Sequence, residues 1–138
     1  MPDQVRVRPE SGDRLPSGAL NTAISNRVVQ LQRENVGRGA EKARTYVAGN
    51  LVVVVLQEAL TKAERTLADE GKSDLVLALR SAFQQTMRTG LSTVVEEFTG
   101  RRVVAFMSDN HIDPDVGVEV FLLDGPVNGG PVEAAVPS

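Results

Sequence analysis

The run Leu51-Val52-Val53-Val54-Val55-Leu56 is apolar at every position and β-branched at four of them. That composition reads as a strand, since β-branched side chains pack well on a pleated surface. Six residues are far too few to cross a bilayer as a helix. A strand apolar on both sides needs cover on both faces, so the run must sit inside a sheet. Gly49 and Asn50 precede it as a two-residue hairpin loop, and Lys42 to Ala48 alternates loosely on the other side of that loop. A second hairpin follows from Arg102 to Ser108 and Gly117 to Leu123, joined by an acidic loop that contains Pro114.

Helical periodicity fills the remainder. From Ala19 to about Asn35, Leu20, Ile24, Val28 and Leu31 recur at helical spacing. Gly37 and Gly39 end that helix, because glycine takes the left-handed backbone of helix C-termini without strain. Thr61 followed three residues later by Glu64 is a capping box that starts a short helix running to about Glu70. Gly71 breaks it, Ser73 is placed to cap the next, and Leu75, Leu79, Phe83, Met87, Leu91, Val94 and Phe98 mark a long buried stripe closed by Gly100. The expected fold is α+β: an antiparallel sheet of two hairpins with helices packed on it, in the order α-β-β-α-α-β-β.

Outside this framework the composition changes. Residues 1–18 carry Pro2, Pro9, Pro16, Gly12 and Gly18 among mixed charges, and residues 125–138 carry Pro126, Gly129, Gly130, Pro131 and Pro137. Such segments bury too little apolar surface to offset their ordering entropy. They are read as a disordered N-terminal arm and a disordered C-terminal tail around one domain over residues 19–124.

Charge and rare residues narrow the function. A net charge of −3 and a pI near 5.2 argue against a protein that holds nucleic acid by neutralising phosphates. With no cysteine there is no disulfide, thiolate nucleophile or cysteine metal site, and a cytoplasmic location is the default. No stretch has the length of a membrane span or a signal peptide. Leu51 to Leu56 and Val103 to Met107 both require cover on two faces. If the three helices lie mostly on one side, the other side presents an apolar patch too large for a monomer, and a homodimer is expected.

Candidate sites are few. Arg38 between Gly37 and Gly39 offers a turn where backbone and guanidinium can hold a small anion, although a helix C-cap accounts for both glycines without one. Thr61 and Glu64 are assigned to capping rather than to acid-base work. Asp109, Asn110, His111, Asp113 and Asp115 begin like a calcium loop, but Pro114 stands where the sharp turn needs glycine and Val120 where a bidentate glutamate is needed. A metal-dependent hydrolase would have to use Asp109, His111 and Asp113; Ser108 nearby could be offered as a nucleophile, but a serine at a strand end more often satisfies backbone groups. His111 is the only histidine, and no glycine-rich phosphate loop is present, so neither an enzyme nor a cofactor is expected. A KH-type RNA-binding reading lacks its GXXG clamp.

One resemblance covers roughly residues 20 to 124. Gly37-Arg38-Gly39, the strand end Val52-Val53-Val54-Val55-Leu56, Leu60-Thr61 through Leu67, Thr99-Gly100-Arg101-Arg102-Val103-Val104, Ser108-Asp109 and Phe121-Leu122-Leu123-Asp124 together resemble the MpsC family, named for a sodium-translocating, membrane-potential-generating system. Ala40 and Lys62 stand where that family usually has proline, at turn and helix-start positions that tolerate either. The resemblance implies a cytoplasmic accessory or regulatory protein whose partners are cation-translocating membrane subunits, and it implies no catalytic residue. The alternative is a dimeric domain that senses a small anion or metabolite.

Overall fold

The computed structural model describes residues 17–127. Three helices and four strands follow one another as α1 (Ser17–Val36), β1 (Lys42–Ala48), β2 (Leu51–Gln57), α2 (Lys62–Asp69), α3 (Ser73–Thr99), β3 (Val103–His111) and β4 (Val116–Leu123). The strands form one antiparallel sheet in the order β1-β2-β4-β3, so the two hairpins join through β2 and β4. This is the α+β architecture and the element order that the periodicities predict.

The helices share one side of the sheet. α1 packs on β1 and on α3, α3 packs on β3, and α2 leans on α3. Beneath them Val52, Val54 and Leu56 of β2 meet Phe121 and Leu123 of β4 and Leu20, Ile24, Val28, Leu91, Val94 and Val95 of the helices in a continuous core. Two side-chain bonds fix α1 to this layer. Ser25 and Thr45 share a hydrogen bond of 2.8 Å, and Gln32 Oε1 accepts from the backbone of Ala40 at 2.9 Å, closing the turn after the helix.

The glycine turn has two different causes. Gly37 has φ +90° and donates its N–H to Arg33 O at 3.0 Å, the left-handed C-cap of α1. Gly39 needs space rather than freedom: a Cβ there would lie 2.6 Å from Val29 Cγ1 and 2.8 Å from Val29 O.

Three expectations require correction. Ser73 does not cap α3; the N-cap is Lys72, without a side-chain cap bond. The first half of the α3 stripe is rotated by one residue, for Leu75 is 55% exposed and Leu79 39% while Val76, Arg80 and Gln84 are buried. Interior hydrogen-bond partners hold Arg80 and Gln84 there, so the apolar stripe does not decide the helix's inner face. Asp109 to His111 belong to β3 rather than to the loop, which shrinks to residues 112–115 between the strands.

At the margins, Ser17 and Gly18 are helical, and Val127 is buried with its N–H on Gly49 O at 3.0 Å. The remaining residues assigned to the arm and the tail lie outside the described residues.

Candidate functional site

Two features of the fold lie beyond what its stability requires: a network of buried polar side chains under α3, and the sheet face opposite the helices. The network starts at the capping box. Thr61 Oγ1 accepts from the N–H of Glu64 at 3.1 Å, and Glu64 Oε1 accepts from the N–H of Thr61 at 2.8 Å. The same Oε1 takes Arg80 Nη2 at 2.7 Å, and that nitrogen also reaches Ala59 O at 2.6 Å. Glu64 and Arg80 are 2% and 6% exposed, so this is a buried ion pair that ties α2, α3 and the loop after β2 together. Glu64 Oε2 and Arg80 Nε have no partner among the described residues.

One turn further along α3, Gln84 and Asn110 of β3 exchange amide bonds of 2.9 and 3.2 Å. Beside them the Ser108 hydroxyl donates to Glu119 Oε1 across the β3–β4 ladder. Burial raises the Glu119 carboxyl from 4.5 to about 7, against the lowering effect of the Ser108 and Gln84 hydrogen bonds and the Arg80 charge. Arg80, Gln84, Asn110 and Glu119 line a cavity of about 20 Å³, room for about one water. Asp115 closes this end of the sheet, its Oδ2 accepting from the N–H of Leu60 and from Arg65 Nη2, both at 3.0 Å.

Thr61, Glu64, Ser108, Asn110 and Asp115 belong to this network, whereas Arg38, Asp109, His111 and Asp113 lie outside it. Arg38 Nη2 binds Glu41 Oε2 at 3.2 Å and the carbonyl of Glu58 at 2.9 Å, an exposed pair that bridges the glycine turn to the end of β2. Asp109 and His111 are exposed on β3, with His111 Nδ1 2.9 Å from Pro114 O, and Asp113 is exposed in the turn. Among the described residues no group of three or more His, Cys, Asp or Glu is placed to hold a metal ion. Ser108 turns inward to Glu119.

Neither motif spacing nor the apolar stripe singles out Arg80, Gln84 or Glu119. Each carries a signal in retrospect. Glu119 is a lone acid inside an otherwise apolar strand, and Arg80 and Gln84 are one turn apart, in register with Val76 and Met87.

The opposite sheet face carries no helix. Its side chains come in rows across the four strands: Ala48-Leu51-Leu122-Ala105, then Tyr46-Val53-Val120-Met107, then Arg44-Val55-Val118-Asp109, in β1-β2-β4-β3 order. Tyr46 is 52% exposed, Met107 57% and Leu122 36%, and Val104, the extra residue at a β-bulge, is 59% exposed. Exposed apolar side chains on a monomer are ordinary when scattered, whereas here they lie side by side on one sheet face.

Comparison with known proteins places the chain in a family. A family described as "Na+-translocating membrane potential-generating system (MpsC)" matches residues 17–125. The uncharacterized protein YbcI of Bacillus subtilis (strain 168) is 26% identical over 107 residues, 77% of this chain and 86% of that protein. The uncharacterized protein YrhF of the same organism is 29% identical over 97 residues, 69% of this chain and 80% of that protein. No solved structure matches. The match spans the whole of the helix-and-sheet unit described above, from the start of α1 to the end of β4, and the chain belongs to the MpsC family.

Proposed function

We propose that the chain is a non-enzymatic accessory or regulatory protein of a cation-translocating membrane assembly, cytoplasmic and dimeric, which acts through the surfaces it offers to other proteins. The observation that carries this reading is the uncovered apolar sheet face, a feature that costs solubility unless another protein covers it. The family's description supplies the link to a sodium-translocating membrane system. Among the described residues no helix is long and apolar enough to cross a membrane, so the reading assigns the membrane contact to a partner protein. Co-purification of the tagged protein from its source cells in mild detergent tests it. Enrichment of cation-translocating membrane subunits is expected, and recovery of the protein with itself alone overturns the accessory role.

A second reading, a sensor of small anions, is favoured by a different observation. A surface recess of about 540 Å³ beside α1 and the edge strand β1 is lined by Arg33, Lys42 and Arg44 together with Glu41, next to the glycine turn that holds Arg38. Thermal melting with phosphate and bicarbonate tests it: stabilisation that disappears in Arg33→Ala or Arg38→Ala supports the sensor, and melting unchanged by either anion removes it.

A further inference from the structure

We propose that a second copy of this chain covers the open sheet face, related by a twofold axis that runs parallel to the strands between the two sheets. This rests on the dimeric part of the proposed function and adds the surface, the axis and the residue pairing.

The argument comes from how charge is distributed along the rows. The middle of the face is apolar, built from Leu51, Val53 and Val55 of β2 and Val118, Val120 and Leu122 of β4. Its two edges differ in sign. The β1 edge ends the rows in Lys42 and Arg44, and the β3 edge ends the Arg44 row in Asp109, all three exposed. A mismatched partner surface leaves these charges without opposite ones, which costs affinity and specificity.

Two sheets packed face to face with aligned strands have two simple twofold axes available. An axis perpendicular to the strands keeps each strand above its own copy, so β1 lies on β1. The rows are then reversed end to end, so Lys42 lies over the partner's Ala48, Arg44 over the partner's Tyr46 and Asp109 over the partner's Met107, and no charge meets an opposite one. An axis parallel to the strands exchanges the edges, so β1 lies on the partner's β3 and β2 on the partner's β4. The rows stay level, so Arg44 stands over the partner's Asp109, Tyr46 over the partner's Met107 and Lys42 over the partner's His111. This arrangement makes two symmetric ion pairs at the rim and two sulfur-aromatic contacts inside them, a favourable pairing. Only the second axis is self-complementary.

The area is adequate. Four strands about 4.8 Å apart, with seven residues rising about 3.4 Å each, make a face of roughly 19 Å by 24 Å. Two such faces bury on the order of 1,000 Å², where specific interfaces begin. An apolar centre with a charged rim is also the usual anatomy of such an interface.

The test is sedimentation of the full chain over a range of concentrations at low and high salt, with four variants that lie on the open face and leave the core intact. Val120→Lys, at the centre, should yield a folded monomer, with folding checked by circular dichroism. Arg44→Asp and Asp109→Arg should each weaken the dimer about tenfold at low salt, and the double variant should recover most of that loss. A monomer at every concentration overturns the proposal and the dimeric reading together. A dimer that is indifferent to Val120→Lys, or in which the two charge reversals add instead of cancelling, overturns this arrangement and leaves the dimeric reading standing. Co-purification with membrane subunits reports on the accessory role independently of all these outcomes.

Discussion

Ser108 and Glu119 face each other across the β3–β4 ladder, and the serine hydroxyl donates to a carboxyl group that is only 3% exposed. Around that carboxyl, α3 contributes Arg80 and Gln84, and β3 contributes Ser108. Three stabilising contacts do not offset burial, and the group sits at about 7 in the folded chain against 4.5 for an ordinary glutamate.

A stability profile against pH follows from that value. Below 4.5 the carboxyl is protonated folded or unfolded and contributes nothing to the slope. Between 4.5 and about 7 the unfolded chain releases the proton while the folded chain keeps it, so stability falls as pH rises. Above that window the folded chain carries a buried charge worth about 3 kcal/mol of destabilisation. Glu119→Gln, which keeps an acceptor for Ser108, should therefore be more stable than the parent at pH 8 by up to that amount and nearly equal to it at pH 4. Urea unfolding at the two pH values checks this, and a difference that does not change with pH refutes it.

The Glu64–Arg80 pair responds differently because both charges are buried. Removing one partner strands the other, so Glu64→Ala or Arg80→Ala should cost about 3–5 kcal/mol. Glu64→Ala also removes half of the capping box. The double variant Glu64→Ala with Arg80→Ala should lose less than the two single losses added together, since no buried charge remains. Chemical denaturation of the four proteins measures the coupling; strict additivity would show that the pair acts as two independent contacts.

Much of this architecture is legible in the sequence, and the places where it is not have a common cause. The hairpins are marked by Gly49-Asn50 and by β-branched runs, signals that depend on neighbours along the chain. The capping box at Thr61 and Glu64 is equally local, and both of its hydrogen bonds form. The inner face of α3 is not local. Leu75 and Leu79 outrank Val76 and Arg80 in apolarity, yet Arg80 is drawn inward by Glu64 from another helix, and Gln84 by Asn110 from a strand. Partners distant in the chain decide which residues face the core, and periodicity records only the chain's own composition. The uncovered sheet face is half legible: the apolar runs demand cover on two sides, but only the packed helices reveal which side lacks it.

That rotation of α3 is itself measurable. Val76 is fully buried and Leu75 is 55% exposed although they are neighbours of similar apolarity. Val76→Ala should cost about 2 kcal/mol through lost burial and the cavity it leaves. Leu75→Ala should cost under about 0.5 kcal/mol, as exposed helix positions usually do. The order of the two losses in thermal or urea unfolding decides which face of the helix is inward.

The glycine turn separates steric need from conformational need. Gly37 has open space around a Cβ but φ +90°, so Gly37→Ala should cost about 1–2 kcal/mol from backbone strain alone. Gly39→Ala places its methyl 2.8 Å from the carbonyl oxygen of Val29, a backbone atom that cannot swing aside as a side chain would. Its repair requires α1 to move off the turn, and overpacking of this kind costs about 1–3 kcal/mol. Arg38→Ala between them removes only an exposed ion pair and one bond to Glu58 O, so it should cost under about 1 kcal/mol. Unfolding of the three variants gives the ordering. If Arg38→Ala proved the costliest, the guanidinium rather than the two glycines would be what holds the turn.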